Sequence, residues 1–357
     1  MIMSKYWSSI VKKINVYTPG EQPKDRKYIK LNTNENPYPP SPKVIRAIKK
    51  ATDATLRLYP DPTCSELRSV IAECYQVKDD QVFVGNGSDE LLAFAYLAFF
   101  EPAAKPILFA DVTYSFYPVY AALFKTNYQL IPTDADFNIP QDGYYQENGG
   151  IVIANPNAPT GRGISLEAIK AILAKNRESV VIIDEAYVDF GGQSAIGLIN
   201  DYPNLLVIQT MSKSKALAGL RVGYAVGSAE LIEGIIRVKD SINSYTLDRL
   251  ALVGAVEAIK DQAYYKKTGK KIIRTRERLT ARLMDKGFKV IPSQANFIFI
   301  SHPRCPSEVI FRQLREKSIL VRYFNKSKID NFLRVTIGTD VEMDIFLEAI
   351  SEIVSGC

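Results

Sequence analysis

The chain has 357 residues, enough for one large domain and a smaller one. Hydrophobic residues make up 46% of it and charged residues 24%, which is ordinary for a soluble globular enzyme. The net charge is +6, but the lysines and arginines are spread along the chain, so nucleic-acid binding is not expected.

Other residue types narrow the chemistry further. The chain has a single histidine, His302, which argues against histidine-bridged metal sites and Ser/Cys–His pairs, and no metal is predicted. Residues 1–13 show no signal peptide, and the longest apolar run, Leu91–Phe100, is too short to span a membrane. No cysteines have metal-ligand spacing, so we expect reduced thiols in a cytoplasmic protein at Cys64, Cys74, Cys305 and Cys357.

The predicted elements begin with an extended arm over residues 1–41, which are rich in Pro, Asn and Lys. Apolar runs typical of buried strands then alternate with stretches of helical length. The strand runs are Val82–Val84, Ile107–Ala110, Ile151–Ala154, Val180–Ile183, Leu205–Ile208 and Val222–Val226, and the helical stretches include Asp89–Phe100, Ser165–Lys175 and Ala229–Lys239. This alternation predicts an α/β fold, with a mainly parallel sheet and helices on both faces, in a large domain over residues 42–250.

The last part of the chain has a different pattern. A long helical region is predicted over residues 247–286, with Gly287 as its stop. Strand patterns follow at Ala295–Ile300, Ile319–Phe324 and Phe332–Ile337, and helix patterns at Ser307–Lys317 and Val341–Val354. We therefore predict a small α+β domain over residues 251–357.

A candidate phosphate site, Gly85–Glu90, lies between a predicted strand and a predicted helix. Glycines let the backbone approach a ligand closely, and a helix N-terminus offers free N–H groups to a phosphate. The segment is nearly a dinucleotide fingerprint, but Glu90 replaces the third glycine. A monophosphate fits as well as a nicotinamide cofactor.

The segment Val180–Tyr187 contains a candidate acid, Asp184, at the end of a predicted buried strand. One interpretation is a helix-capping Asp. Another is the acidic motif of phosphate-loop ATPases, but the chain lacks G-x-x-x-x-G-K followed by Ser or Thr. The remaining interpretation is a carboxylate held against a pyridinium nitrogen, which keeps that ring protonated and able to accept electrons.

A candidate nucleophile, Lys213, follows the apolar run Leu205–Ile208 at the carboxyl end of a predicted strand, where open α/β sheets bind ligands. Most strand-end lysines are solvated surface residues, and Lys215 is a second candidate. Ser212 precedes Lys213 and Arg221 follows eight residues later, so two phosphate-binding groups accompany the amine. This combination suits a Schiff base with an aldehyde that carries a phosphate, namely pyridoxal phosphate.

The spacing of three polar residues connects these segments. Asn157 lies in the sharp loop Asn155–Gly161, after another predicted strand. Asn157, Asp184 and Lys213 are 27 and 29 residues apart, close to one βαβ unit each. One edge of the sheet could therefore gather all three around one ring.

The order of motifs along almost the whole chain resembles a known family. The motifs are Leu31–Tyr38, Arg57–Pro62, Asn86–Glu90, Val112–Tyr117, Asn155–Gly161, Asp184–Tyr187, Ser212–Arg221, Ser293–Phe297 and Phe332–Thr336. With them the chain resembles the fold type I pyridoxal-phosphate-dependent aminotransferases, and within them the histidinol-phosphate aminotransferases. Two departures are Ala158, where many relatives carry a second Asn, and Tyr38–Pro40, which lacks a common glycine.

The resemblance implies a pyridoxal 5'-phosphate site. Lys213 would be the Schiff-base lysine, since the family's phosphate arginine lies eight residues beyond it, as Arg221 does here. Lys215 is then non-catalytic, and Asp184 would pair with the pyridinium nitrogen. The resemblance also implies that Asn157 and Tyr187 bind the ring hydroxyl and that Tyr114 stacks on the ring. The implied phosphate contacts, besides Arg221, are Gly87, Ser88, Asp89, Ser212 and Tyr59. Tyr59 would come from a second subunit, which implies a homodimer with shared active sites.

The resemblance also implies a substrate site and a reaction. Arg334 matches the family arginine that meets the substrate anion, Arg322 matches a second arginine for substrate phosphate, and Tyr17 and Asn36 could close over the substrate. The implied reaction is ping-pong transamination between L-histidinol phosphate or imidazole acetol phosphate and 2-oxoglutarate or L-glutamate, in histidine biosynthesis. Lys213 would be the general acid–base. The alternatives are an aromatic amino acid aminotransferase, a threonine-phosphate decarboxylase of the same fold, and a cofactor-binding protein without turnover.

Overall fold

Helices and strands alternate through a computed structural model that describes residues 4–357. The helices are α1 (Ser9–Lys13), α2 (Pro42–Ala51), α3 (Ser65–Tyr75), α4 (Gly87–Phe99), α5 (Tyr117–Phe124), α6 (Leu166–Lys175), α7 (Ala229–Ile242), α8 (Arg249–Lys260), α9 (Gln262–Met284), α10 (Ser307–Glu316) and α11 (Asp340–Ser355). The strands are β1 (Ile29–Lys30), β2 (Val82–Gly85), β3 (Ile107–Ala110), β4 (Tyr128–Ile131), β5 (Gly150–Ala154), β6 (Val181–Asp184), β7 (Leu205–Thr210), β8 (Gly223–Gly227), β9 (Lys289–Ile291), β10 (Phe297–Ser301), β11 (Ile319–Leu320), β12 (Arg322–Tyr323) and β13 (Leu333–Thr336).

The large domain is built on a seven-stranded sheet in the order β2-β8-β7-β6-β5-β3-β4. β8 is antiparallel to β2 and β7, whereas the neighbours from β7 to β4 are parallel. The predicted mainly parallel sheet is confirmed, and each predicted apolar run of this domain coincides with one of its strands to within two residues at either end. β4 was not predicted because only its last residue is buried. The parallel strands all end at one edge, where such sheets hold ligands.

Helices cover both faces of this sheet because successive side chains of a strand point to opposite faces. Ile183 of β6 packs with apolar residues of α3, α6 and α8, and the adjacent Ile182 packs with those of α4, α5 and α7. Both isoleucines are fully buried. Burial of one such side chain stabilises the fold by about 1.5–3 kcal/mol.

The helical region predicted over residues 247–286 is two helices, α8 and α9. The first of them, α8, is capped at its C-terminus by Asp261. The Asp261 carboxylate accepts hydrogen bonds from the Ser41 hydroxyl and from the Lys43 ammonium, the latter at 3.3 Å. Ala255 and Ile259 of α8 belong to the core of the large domain. The predicted boundary at residue 250 therefore falls at the start of a helix that packs on the large domain.

The small domain has an antiparallel four-stranded sheet, β12-β13-β10-β9, with α9, α10 and α11 packed in one apolar cluster against it. β1 of the arm pairs in parallel with β11, matching Ile29 with Ile319, and Leu31 is buried in the same cluster. The arm predicted over residues 1–41 thus contains a helix and a strand, and its strand joins the small domain.

One prediction about the cysteines is wrong. Cys305 and Cys357 form a disulfide with an S–S distance of 2.06 Å, whereas Cys64 and Cys74 are free. The pair is separated by 52 residues, and α11 runs between them, so spacing in the sequence does not reveal their proximity. Within residues 4–357, no helix is both long and apolar enough to cross a membrane.

Candidate active site

A cavity opens at the carboxyl ends of β5, β6 and β7, where both domains and the arm contribute to its wall. It encloses about 1080 Å³, counting the open solvent at its mouth. Most of the predicted site residues line this cavity, namely Tyr17, Ser88, Asp89, Tyr114, Asp184, Tyr187, Ser212, Lys213, Arg221, Arg322 and Arg334. The fold therefore brings residues from all three predicted parts of the chain to one place.

Lys213 lies in the turn that follows β7. Its Nζ atom donates to the Thr33 carbonyl oxygen of the arm at 3.3 Å and lies 5.9 Å from the centre of the Tyr187 ring. Burial, reinforced by the positive charge of Arg334, lowers the pKa of Lys213 to about 8. A substantial fraction of neutral amine is therefore present near physiological pH, as a nucleophilic lysine requires.

Asp184 is the last residue of β6 and is buried. Its Oδ2 atom accepts a hydrogen bond from the Tyr117 hydroxyl at 2.8 Å, and its Oδ1 atom accepts one from the Ala186 backbone N–H at 3.2 Å. Burial raises the pKa of Asp184 to about 6, while these two hydrogen bonds favour the carboxylate. Burial therefore favours the neutral form of the Asp184 carboxyl group, and its two hydrogen-bond donors favour the ionised form.

Tyr187 and Asn157 are held in place by different segments. The Tyr187 hydroxyl accepts a hydrogen bond from the Asn34 side chain at 2.9 Å, and its ring packs edge-on against Phe297. Asn157 is fully buried, where its Oδ1 atom accepts from the Thr113 hydroxyl at 2.7 Å and its Nδ2 atom donates to the Val112 carbonyl oxygen. Asn157 follows β5, but it is not among the residues on the cavity wall.

The start of α4 and Arg221 form a second part of the wall. The Arg221 guanidinium lies 3.1 Å from an Asp89 carboxylate oxygen and donates to the Ser212 hydroxyl at 3.3 Å. A Cβ atom at Gly87, whose φ is +78°, would lie 2.7 Å from the Arg221 Nη2 atom. A side chain at position 87 would displace this guanidinium from the free N–H groups of the α4 N-terminus, and the positive φ also favours glycine there.

Arg322 and Arg334 lie on the side of the cavity formed by the small domain and the arm. Arg334 donates to the Asn32 carbonyl oxygen at 3.0 Å, and its buried Nε atom has no hydrogen-bond partner within residues 4–357. Burial lowers the pKa of Arg334. The Arg322 guanidinium donates to two carbonyl oxygens of the arm, those of Thr18 and Pro19, at 2.9 and 3.2 Å.

Four aromatic or amide residues complete the predicted set. Tyr17 stacks on Phe116, with ring centres 4.2 Å apart, near Tyr114, whose hydroxyl donates to Asp89 at 2.9 Å. Tyr59 is 78% exposed and stacks on Tyr245, away from the cavity wall. Asn36 also lies off the wall, because its side-chain amide donates to the carbonyl oxygens of Lys213 and Ser214. The substrate contact predicted for Asn36 stays a prediction.

Comparison with known proteins assigns this arrangement to a family. The family described as "Aminotransferase class I and II" matches residues 26–350. The chain belongs to this family. Histidinol-phosphate aminotransferase of Clostridium acetobutylicum is 60% identical over 353 residues, covering 99% of this chain and 100% of that protein. The protein of the same name from Clostridium beijerinckii is 55% identical over 353 residues, covering 99% of this chain and 98% of that protein.

A solved structure supports the fold of this aminotransferase. Histidinol-phosphate aminotransferase from Sinorhizobium meliloti, in complex with pyridoxal-5'-phosphate, has a TM-score of 0.88 and 23% identity, and the match covers 99% of each chain. The predicted fold type I aminotransferase and its cofactor, pyridoxal 5'-phosphate, are confirmed. When bound, this cofactor supplies an aldehyde that bonds to amines and a ring that accepts electrons.

The residues of this aminotransferase fit such a cofactor. A Cβ atom at Gly223 would lie 2.6 Å from the Gly87 carbonyl carbon, so the close approach of these two backbone segments beside Arg221 requires a residue without a side chain at position 223. Helix N–H groups, an arginine and a serine hydroxyl are suitable partners for a phosphate. Asp184 and Lys213 offer an acid and an amine at neighbouring strand ends.

Several residues in the aminotransferase site were not predicted. Asn34 bonds Tyr187, Tyr117 bonds Asp184, and the Thr33 carbonyl oxygen accepts from Lys213. Asn34 and Tyr117 belong to motifs that carried the resemblance, and this membership was the only available signal for them. Their hydrogen-bond partners are 153 and 67 residues away, so no local pattern identifies the pairs.

Proposed function

We propose that this aminotransferase transfers an amino group between L-histidinol phosphate and 2-oxoglutarate, with imidazole acetol phosphate and L-glutamate as the other pair, in histidine biosynthesis. Two relatives of that name, at 60% and 55% identity over nearly the whole chain, support this substrate assignment. The structural observation that supports it best is the pair Arg322 and Arg334 in the cavity that contains Lys213.

The two arginines suit substrates with two kinds of anion. A guanidinium donates two parallel hydrogen bonds to a carboxylate or a phosphate, and the bond to a charged partner is strong. Arg334 has an unsatisfied Nε atom to offer, and Arg322 is bonded only to neutral carbonyl oxygens within the described chain. In our proposal they receive the phosphate in one half-reaction and the carboxylates of glutamate in the other.

Lys213 moves the proton in this proposal. Its Nζ atom would take the proton from the substrate Cα atom and hold it for return, while the cofactor, when bound, would accept the electrons left at that carbon. A pKa of about 8 suits both directions of transfer, because the amine is neither permanently charged nor too weakly basic. The half-buried position of Lys213 limits access of water to the proton.

The other predicted residues bind and orient the cofactor in this proposal. Asp184 holds the ring nitrogen, and Asn157 and Tyr187 bind the ring hydroxyl. Tyr114 stacks on the ring. The phosphate is bound by Gly87, Ser88, Asp89, Ser212 and Arg221, while Tyr17 and Asn36 assist the substrate. In this proposal the chain has three parts: a substrate-closing arm over residues 1–41, a cofactor-binding large domain over residues 42–250 and a small domain over residues 251–357. We propose that the protein acts in the cytoplasm.

A homodimer with shared sites is part of the proposal, because Tyr59 is exposed at a distance from the cavity of its own chain. Mixing the variants Lys213→Ala and Tyr59→Ala, each of which should have lost most of its activity, tests it. Heterodimers with shared sites regain one complete site, so activity rises well above that of either variant alone. Failure to regain activity in heterodimers isolated with two different tags would contradict sharing.

A half-reaction tests the substrate. Cofactor-loaded protein is mixed with L-histidinol phosphate in the absence of a keto acid, and the visible absorption of the bound cofactor is followed. Stoichiometric loss of that absorption, reversed by 2-oxoglutarate, is the expected result. Loss with phenylalanine or tyrosine alone would indicate an aromatic amino acid aminotransferase, and CO2 release from threonine phosphate would indicate a decarboxylase.

A further inference from the structure

Tyr117 contacts two of the residues that the proposed function assigns to the cofactor ring. It is the first residue of α5 and is completely buried. Its hydroxyl donates to the Asp184 Oδ2 atom at 2.8 Å. Its ring packs edge-on against Tyr114, with centres 5.7 Å apart and planes at 86°. The same side chain therefore contacts both the acid that is proposed to pair with the ring nitrogen and the tyrosine that is proposed to stack on the ring.

The position of Tyr117 is fixed by its surroundings. Its backbone N–H donates to the Tyr114 carbonyl oxygen at 3.2 Å, and its ring also packs against Phe109 at 5.8 Å, with planes at 64°. A buried aromatic ring packed on two sides has little freedom to rotate. The hydroxyl is thus held at a constant position relative to the end of β6.

The direction of the hydrogen bond follows from chemistry. Burial raises the pKa of Tyr117 well above its usual range, and the negative charge of Asp184 raises it further, so the phenol keeps its proton. Asp184 must then be the acceptor, and acceptance favours its ionised form. The other hydrogen bond to this carboxylate, from the Ala186 N–H, is longer at 3.2 Å. The charge of Asp89 opposes ionisation of Asp184.

We propose that Tyr117 is a positioning residue for the reaction, whose hydroxyl keeps Asp184 ionised and oriented so that the proton between Asp184 and the cofactor ring stays on the ring nitrogen. This inference rests on the proposed role of Asp184. Without the hydroxyl, the carboxylate becomes more basic and competes for that proton. A ring nitrogen that loses its proton accepts electrons less well, so turnover falls.

A substitution that removes only the hydroxyl separates this role from packing. We would load Tyr117→Phe with cofactor labelled with ¹⁵N in the ring and record the nitrogen chemical shift, which reports protonation. The expected result is a shift toward the unprotonated value and a fall in kcat of about tenfold, the equivalent of one pKa unit. The KM for L-glutamate stays the same, because Arg322 and Arg334 are unchanged.

Tyr96→Phe is the matched control. Tyr96 is also a fully buried tyrosine, on α4, but its hydroxyl has no hydrogen-bond partner in the described part of the chain. This variant should leave the ring-nitrogen signal and turnover as they are in the unsubstituted protein. An unchanged signal in Tyr117→Phe, or an equal shift in both variants, would overturn the proposal.

A double-mutant cycle distinguishes failure of this inference from failure of the proposed function. If Tyr117 acts through Asp184, Tyr117→Phe changes the ring-nitrogen signal when Asp184 is present. Adding Tyr117→Phe to the Asp184→Asn variant should then cause no further change in that signal. An equal effect in both backgrounds would exclude action through Asp184. If Asp184→Asn itself leaves the signal unchanged, the assigned role of Asp184 is wrong, and the inference about Tyr117 is overturned with it.

Discussion

The cofactor side and the substrate side of the cavity are built in different ways. Asp184 ends one strand and Lys213 follows the adjacent parallel strand, and within residues 4–357 the Asp184 carboxylate bonds only groups of the large domain. Arg322 and Arg334 instead donate to carbonyl oxygens of the arm that are more than 300 residues away in the sequence. The first side depends on a rigid sheet, and the second depends on the arm meeting the small domain.

This difference shows why one fold can serve many substrates. A sheet edge keeps the backbone that carries the amine and the acid at a constant spacing. A side assembled from the arm and the small domain can change its residues without disturbing that spacing. The two sides are still coupled electrostatically, since the charge of Arg334 contributes to the lowered pKa of Lys213.

The largest expected effect is on the cofactor side. Lys213→Ala should lower turnover by about a thousandfold or more, because both the nucleophile and the proton carrier are lost. The cofactor should remain bound, but without a covalent link, as measured by mass spectrometry after borohydride reduction. Lys215→Met is the control and should keep the link at Lys213. Undiminished turnover of Lys213→Ala would contradict the assignment.

The next effect is on the substrate side. Arg334→Gln should raise the KM for L-glutamate by about 10- to 100-fold, since a charge-assisted hydrogen bond contributes about 1.5–3 kcal/mol. The visible absorption of the bound cofactor should persist, as checked by spectra of the loaded variant. Loss of cofactor from this variant would show that the two sides are not separable.

Sequence patterns identified candidate residues on the cofactor side, although the choice of Lys213 over Lys215 came from the family resemblance. Lys213 and Asp184 were predicted because each follows an apolar run, and the end of a buried strand can be recognised from such a run. The same reasoning failed for β4, whose edge position leaves most of its residues exposed. The break at Asp261 was also missed, since it depends on Ser41 and Lys43, which are far away in the sequence.

The substrate side could be predicted only through the family resemblance. Nothing around Arg334 in the sequence indicates that Asn32 accepts its hydrogen bond, because the arm meets β13 only in the folded chain, where the Thr336 N–H also donates to the Leu31 carbonyl oxygen. The Cys305–Cys357 disulfide was missed for the same reason. Contacts between distant segments depend on the fold and leave no periodic pattern in either segment.

A pH titration measures the coupling between the two sides. The pKa of Lys213 is lowered to about 8, so its amine is protonated below that pH and neutral above it. The rate of covalent cofactor capture by the cofactor-free protein should therefore rise about tenfold per pH unit below 8 and level off above it. Rates for acetyl-lysine amide, each first divided by the fraction of that amine that is neutral at the same pH, correct for titration of the cofactor itself.

In Arg334→Gln the same titration should level off at a higher pH, because a positive charge that disfavours the ammonium has been removed. Stopped-flow absorbance measures both curves. A rise that continues to pH 10 in the unsubstituted protein would show an ordinary, solvated lysine.

The smallest expected effect is at the mouth of the cavity. Tyr17→Ala removes the stacking of Tyr17 on Phe116, and a loss of about 0.5–1.5 kcal/mol raises the substrate KM by about 2- to 10-fold. Steady-state kinetics measure this change. Tyr17→Phe keeps the ring and should stay within about twofold of the unsubstituted protein, unless the hydroxyl itself contacts substrate.

The short ladder between β1 and β11 limits how the arm can vary in length among related sequences. Insertions or deletions before Ile29 leave the pairing with Ile319 in register. One residue added between Lys30 and Leu31 would shift the Asn32 carbonyl oxygen and the Asn34 side chain by one position along the chain, away from Arg334 and Tyr187. Length variation is therefore expected ahead of the ladder, whereas the segment from Ile29 to Asn34 must keep a constant number of residues.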